Sequence, residues 1–356
     1  MLTLQNIKKF VENKMVFCGM DIHYRHWDLC FYSDGQVLEH CRIPGNWKHL
    51  KNKIERRYAS ARQIRFVYEA GFSGFYLQRQ IASAGYECIV TPPNRVPKMG
   101  DKVKTDRRDA LKLAQCLAGG FLKSVWIPPK TVESDRRILR VRHGTQKKMT
   151  RVKNQIKSFL FLHGIDYPVS YGCRWTKRYL AWLSELSFND EGDRYIMDDY
   201  LDEYWHLRSR LASMTRRIRA LSTHEAYHGQ YKRLITCKGI GLITAMTFLL
   251  ELYDLHRFPS GKHLSSYLGM TPGQFSSGPH VRLGRITREG NSHVRRILVE
   301  SAWTVIRHDP VLREKYNRIR SKGSNGKKAI VAVARSLGVR LRACLLNEEN
   351  YVMGLC

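Results

Sequence analysis

The sequence predicts an α/β amino-terminal domain followed by a mainly helical remainder. Two observations carry this reading. Between residues 15 and 118 short apolar runs alternate with amphipathic stretches, and beyond about residue 130 the apolar positions recur every three or four residues.

Residues Met15 to Ile43 hold three apolar runs, VFCGMDI, WDLCFY and QVLEHCRI, with Ser33-Asp34-Gly35 as a turn, and they read as an antiparallel three-stranded meander. Asp21 ends its first strand. A polar helix over Trp47 to Arg57 follows, then an apolar run from Ile64 to Tyr68 that delivers Glu69, then a helix from about Gly74 to Ala84. Glu87 to Val90 is a further short strand stopped by Pro92 and Pro93. The helix beginning near Arg107 carries Leu111, Leu113 and Leu117.

From Arg136 to about Gly164 the chain is basic and helical, suited to lining a nucleic-acid groove. Met197, Tyr200, Tyr204, Leu207, Leu211 and Met214, continued by Ile218 and Leu221, form a heptad seam. The seam predicts an intermolecular coiled coil, with an amphipathic helix packed on its own domain as the alternative. Short helices with Gly and Pro punctuation fill Tyr231 to Arg342. There CKGIGLITA places Gly239 and Gly241 in a turn between helices, which serves either to meet a phosphate through backbone N–H groups or to let two helices approach. The expected divisions are 1–130, 131–228 and 229–356, and no internal repeat is evident.

Composition narrows the function. Lys and Arg total 61 against 31 acidic residues, a formal net charge of +30, which suits a polyanionic partner. The basic residues run the whole length, so several faces should meet phosphate. No apolar span of about 18 residues is present and MLTLQNIKKFVENK lacks a secretory apolar core, so a cytosolic protein is expected. Nine cysteines occur with no C-x-x-C pair, and they read as thiols, not as a disulfide framework or zinc site.

In this basic chain the placement of four acids stands out. Asp21 and Glu69 each end a strand, while Asp106 and Asp109 lie three apart in KTDRRDA at a helix start. Gathered without a cation, four carboxylates would raise one another's pKa, so a shared site argues for a hard divalent ion, Mg2+ or Mn2+, held through oxygen. Turn formation and helix capping are the plainer uses of the same residues.

The order GMDI, VYEAGFSG, TPPNRVP, KTDRRDA resembles the amino-terminal DEDD domain of insertion-sequence-110-type transposases and their Piv-like invertase relatives. The later segments CKGIGLITA, RFPSGKHLSSYLGMTPGQFSSG and RLGRITREGNSHVRRILVESAW are similar to that family's transposase domain, so the resemblance spans roughly residues 15 to 342. It implies an RNase H-like (RuvC-like) fold for the first domain and a metal-binding tetrad of Asp21, Glu69, Asp106 and Asp109. It implies Ser277, in GQFSSG, as a nucleophile toward DNA, with Gly278 allowing close approach; the choice of Ser277 over Ser276 rests on the family motif and not on chemistry. Lys104, Arg107 and Arg108, and in the second half Arg282, Arg285, Arg288, Arg295 and Arg296, are candidate phosphate contacts beside Gly239 and Gly241.

With no zinc finger, RNP motif or helix-turn-helix in view, target choice could lie outside the protein. The resemblance implies a structured guide (bridge) RNA that pairs with donor and target double-stranded DNA, a homodimer formed through the coiled coil, and a tetramer in the active complex, in a prokaryotic, nucleoid-associated setting. Three other readings remain: a RuvC-like junction nuclease that uses water, a DNA invertase without guide RNA, and a non-catalytic nucleic-acid scaffold.

Overall fold

A computed structural model describes residues 4–97, 105–168, 174–277, 280–323 and 325–354. The chain divides into two compact units, Met1–Ile127 and Pro128–Cys356.

The first unit runs α1 (Leu4–Val11), β1 (Met15–Ile22), β2 (His26–Ser33), β3 (Gln36–Pro44), α2 (Trp47–Arg57), β4 (Gln63–Glu69), α3 (Tyr76–Ser83), β5 (Glu87–Thr91) and α4 (Asp106–Ala118). The sheet order is β3-β2-β1-β4-β5. The first three strands form the expected antiparallel meander, and β4 and β5 add in parallel. Asp34 and Gly35 both take positive φ, 46° and 78°, as a tight hairpin turn requires. This mixed α/β arrangement is consistent with an RNase H-like domain.

Alternation along each strand gives the sheet two different faces. Val16, Cys18 and Met20 of β1, with Phe66 and Tyr68 of β4, pack under Ile7, Leu50, Ile54 and Ile81 of the first three helices. The opposite face carries Gly19, Cys30 and Val67 and is covered by α4, through Ala110 and Ala114 beside Cys30 and through Leu113 and Leu117 beside Val67. Small residues let α4 lie close. A Cβ on Gly19 would fall within contact distance of the Ala110 carbonyl oxygen and stand 2.5 Å from the Ala114 nitrogen. Asp21, Asp28 and Glu69 have the same strand parity as Gly19, Cys30 and Val67, so they lie on the α4 face of the sheet.

The second unit contains α5 (Lys130–Leu162), α6 (Lys177–Glu185), α7 (Glu191–Ser222), α8 (Glu225–Ile235), α9 (Leu242–Leu252), α10 (Gly261–Tyr267), the hairpin β6 (Pro272–Ser277) and β7 (His280–Ile286), then α11 (Ser292–His308), α12 (Pro310–Ser321) and α13 (Gly326–Leu346). Its core centres on α9, where every residue from Ala245 to Leu252 is buried. Leu298 and Val305 of α11 and Val333 and Leu337 of α13 complete it.

The heptad seam is used inside the chain. Helices α5 and α7 pack antiparallel: Met149, Val152, Ile156 and Phe159 meet Met197, Leu201, Tyr204 and Leu207, while Leu139 shares a core with Ile218 and Leu221. Met197 and Ile218 are fully buried without a second copy. This departs from the expected intermolecular coiled coil, because apolar spacing of threes and fours specifies a buried stripe and not whose helix covers it.

Candidate active site

The end of β1, the start of β2, the end of β4 and the start of α4 converge on one edge of the first unit. Asp21 faces Asp28 across the β1–β2 ladder. Glu69 follows Tyr68, which pairs with Met20, so Glu69 and Asp21 occupy the same step of the parallel β1–β4 pair. Helix α4 opens on Thr105, whose hydroxyl accepts from the Arg108 N–H, and its first turn contains Asp106 and Asp109. Acids there also complement the positive end of the helix dipole.

His23 ties the strand to the helix. Its Nε2 lies 3.2 Å from Asp21 Oδ2 and 3.6 Å from Asp106 Oδ2. Arg42 of β3 forms the second tie, donating from Nε to both Asp28 oxygens at 3.2 and 3.1 Å and from Nη2 to Asp106 Oδ2 at 3.1 Å. His26 Nε2 stands 3.7 Å from Asp28 Oδ2.

The electrostatics agree with a crowded acidic group. Burial raises the Asp21 pKa above the usual carboxylate range, and Asp106 and Asp109 push it the same way, while His23 opposes them by charge and hydrogen bond. The hydrogen bond to Asp28 raises Arg42, opposed by desolvation and reinforced by the charges of Asp28 and Asp106.

Among the described residues, one set of potential ligand atoms lies within 4.8 Å of one another: those of His23, His26, Asp28 and Asp106. Asp21 adjoins it through His23. The set offers two imidazole nitrogens and two carboxylate oxygens, with the Asp21 carboxylate beside it, a donor mix that can hold a divalent cation. Asp28, His23, His26 and Arg42 were not singled out from the sequence. The signal was available, because an acid inside WDLCFY shares a strand face with Cys30 and falls opposite Asp21 once the hairpin is closed.

The remaining candidates are spread over both units. Arg107 and Arg108 are exposed on α4, and Arg107 is close enough to influence Cys30 and His40. Lys104 and Gly278 lie outside the described residues. The Ser277 backbone ends β6 opposite His280, at the tip of the hairpin. Arg282 and Arg285 project from β7 as exposed residues, and Arg288 follows in a left-handed conformation, φ 58°. Arg295 donates to the Leu268 carbonyl at 2.7 Å and Arg296 reaches Glu300 at 3.3 Å. Gly239, at φ 107°, packs against Thr304 and Val305 of α11, which accounts for this glycine by close helix approach, whereas Gly241 has open space around it.

Residues 18–164 match the family model of the DEDD transposases of IS110 type, and residues 231–317 match the model described as "Transposase IS116/IS110/IS902 family". The chain belongs to the IS110 family of transposases. It is 34% identical to the Sinorhizobium fredii protein named "Putative transposase y4qE", over 76% of this chain and 66% of that one. It is 26% identical to the transposase for insertion sequence element IS1533 of Leptospira borgpetersenii, over 82% of this chain and 85% of that protein. It is also 24% identical to the transposase for insertion sequence element IS1111A of Coxiella burnetii, over 94% and 91% respectively. Among the described residues, no helix of this IS110-family chain is long and apolar enough to cross a membrane.

Proposed function

We propose that this transposase excises and integrates an insertion sequence by serine attack on a DNA phosphodiester at a site that uses a divalent metal. The observation that carries the reading is His23 bridging Asp21 and Asp106, which gathers carboxylates from a strand end and a helix start around one point. Asp21, Glu69, Asp106 and Asp109 would hold Mg2+ or Mn2+, joined by Asp28, which shares a cluster with Asp106. When bound, such an ion supplies Lewis-acid polarisation of the phosphodiester.

Ser277 supplies the nucleophile. Its Oγ forms a bond to phosphorus as one deoxyribose oxygen leaves, and that oxygen departs with the proton the serine gave up. A hydroxyl of the second strand then displaces Ser277 in the reverse sense. Each step exchanges one phosphodiester for another, so strands rejoin without ATP. Arg282, Arg285 and Arg288 near the serine hairpin are suited to phosphate, as are Arg107 and Arg108 beside the acids.

A net charge of +30 supports binding of donor and target DNA together with a structured guide RNA. Joining two duplexes calls for at least a homodimer, and a tetramer serves both ends of an element. Contacts between copies would use surfaces other than the buried seam, such as the exposed Tyr195 and Trp205 of α7. A cytoplasmic, nucleoid-associated protein follows from the same reading.

The test is peptide mapping of a denaturant-resistant protein–DNA adduct formed on a suicide substrate. A nucleotide attached to the Ser277 peptide and lost in Ser277→Ala supports the reading. Strand cleavage that persists in Ser277→Ala, with no adduct, replaces it with hydrolysis by water.

A further inference from the structure

Within the second unit, two adjoining hollows open between α5 and α11. One, of about 460 Å³, is bounded by Arg140, Arg142 and Gln146 of α5, Thr244 and Thr247 of α9, and the start of α11. The other, of about 450 Å³, extends to Lys147, Arg295 and Ile286. They share His143, His293, Arg296 and Glu300. The rings of His143 and His293 meet edge to face with centroids 5.5 Å apart, which locks the two helices together at the hollows' common wall.

The lining is cationic beyond what its own acids neutralise. Five Lys and Arg side chains stand against Glu251 and Glu300. Glu251 is fully engaged, by Arg140 at 2.7 and 2.8 Å and by Asn291 at 2.8 Å. Glu300 is taken by Arg296. Among the described residues, Arg142 donates to the Thr215 hydroxyl alone, at 3.0 Å, and Lys147 meets no carboxylate. The Nε of Arg296 is buried with no hydrogen-bond partner among them. Burial lowers the pKa of His143 and of His293, and nearby Arg296 and Lys147 contribute in the same direction, so the group repels further positive charge. Cations held together in a concave, partly desolvated wall are stabilised by an anion and oppose a metal ion.

The two hollows adjoin through four shared residues, so together they offer room for more than one small anion, as a run of phosphates requires. Ile286 places them at the foot of the β6–β7 hairpin whose tip is Ser277. Five residue rises along β6, from Pro272 opposite Ile286 to Ser277, separate foot from tip, roughly 17 Å, or about five base steps along a duplex.

We infer that this hollow is a phosphate clamp, in which Arg142, Lys147 and Arg296, with His143 and His293, grip a nucleic-acid backbone a few steps from the phosphodiester that Ser277 attacks. The position relative to cleavage rests on the function proposed above, whereas the clamp itself does not. It assigns an anchoring task to α5, a helix remote in sequence from the serine.

The experiment measures binding without chemistry. Ser277→Ala protein in EDTA is titrated by fluorescence anisotropy against a labelled DNA duplex, an RNA duplex and a DNA–RNA hybrid, alone and with Lys147→Ala or Lys148→Ala added. Lys148 is an exposed neighbour on the same helix that does not line the hollows. The clamp requires Lys147→Ala to weaken binding roughly five- to tenfold and to reduce the salt slope by about one, with Lys148→Ala within about twofold of its parent. The nucleic acid that shows the loss identifies the strand held. A scan of single neutral methylphosphonate linkages should find a position that weakens the parent and has no further effect in Lys147→Ala. Equal effects of the two lysine substitutions, or no difference between parent and Lys147→Ala across the scan, overturn the clamp. Since no strand is cut, neither outcome depends on the serine mechanism.

Discussion

Gly19 of β1 lies directly beneath Ala110 of α4, with no room between the Gly19 Cα and the Ala110 carbonyl for a side chain. This contact sets the height of α4 above the sheet, and with it the approach of Asp106 and Asp109 to Asp21. Gly19→Ala should lift α4 and cost about 1–3 kcal/mol by overpacking. Denaturant unfolding checks the stability, and divalent-ion titration of the folded variant should show weakened binding. A variant as stable and as metal-competent as the parent would mean that α4 is free to shift.

Arg42 neutralises two acids at once, and Asp28 is only 9% exposed. Arg42→Ala leaves a nearly buried carboxylate without its main donor, which lowers stability. A divalent ion can replace the missing charge. The fall in Tm should therefore be larger in EDTA than in millimolar Mg2+ or Mn2+, as differential scanning fluorimetry reads directly.

Glu251 links α9 to α5 and to the cap of α11 from a position 1% exposed. Burial alone would raise its carboxyl, but the hydrogen bonds and charges of Arg140, with Asn291 and Arg136, bring it below the usual glutamate value. A depressed folded pKa contributes stability that is complete above the unfolded value of about 4.3 and is lost as pH falls through the lower folded value. Glu251→Gln should cost about 1–3 kcal/mol at pH 7, because the more buried Arg136 loses its counter-charge while the half-exposed Arg140 is partly rehydrated. The gap between parent and variant in urea unfolding should narrow as pH is taken below 4.3.

The α5–α7 seam is intramolecular, and Leu201 within it is 5% exposed. Leu201→Ala should cost about 2–5 kcal/mol through the cavity it leaves. Sedimentation velocity on the folded variant should show the same state of association as the parent, whereas an intermolecular seam would make Leu201→Ala weaken self-association.

Much of this fold is legible in the sequence because alternation and turn chemistry act locally. The meander, the helix over Trp47 to Arg57 and the placing of Asp21 and Glu69 at strand ends all follow from runs of about eight residues. What escaped depends on partners distant in sequence. Asp28 reads as part of an apolar run until its hairpin sets it against Asp21, and Arg42 joins the group only through β3. The β6–β7 hairpin has Gly, Ser and Pro where a strand usually shows β-branched residues, so the sequence reads there as a loop. The seam was visible as a stripe, but periodicity does not identify the surface that covers it.

The most direct test of the acidic site is a Mn2+ titration followed by electron paramagnetic resonance at pH 7, in the absence of DNA. The parent should take up the ion, and Asp21→Asn and Asp106→Asn should each weaken uptake at least about tenfold, since each removes one charged oxygen ligand. Asp34→Asn, at a surface acid paired with Lys14, should leave it unchanged. Failure of the parent to bind Mn2+, or equal binding by all three variants, would contradict the gathering of these carboxylates around a shared cation.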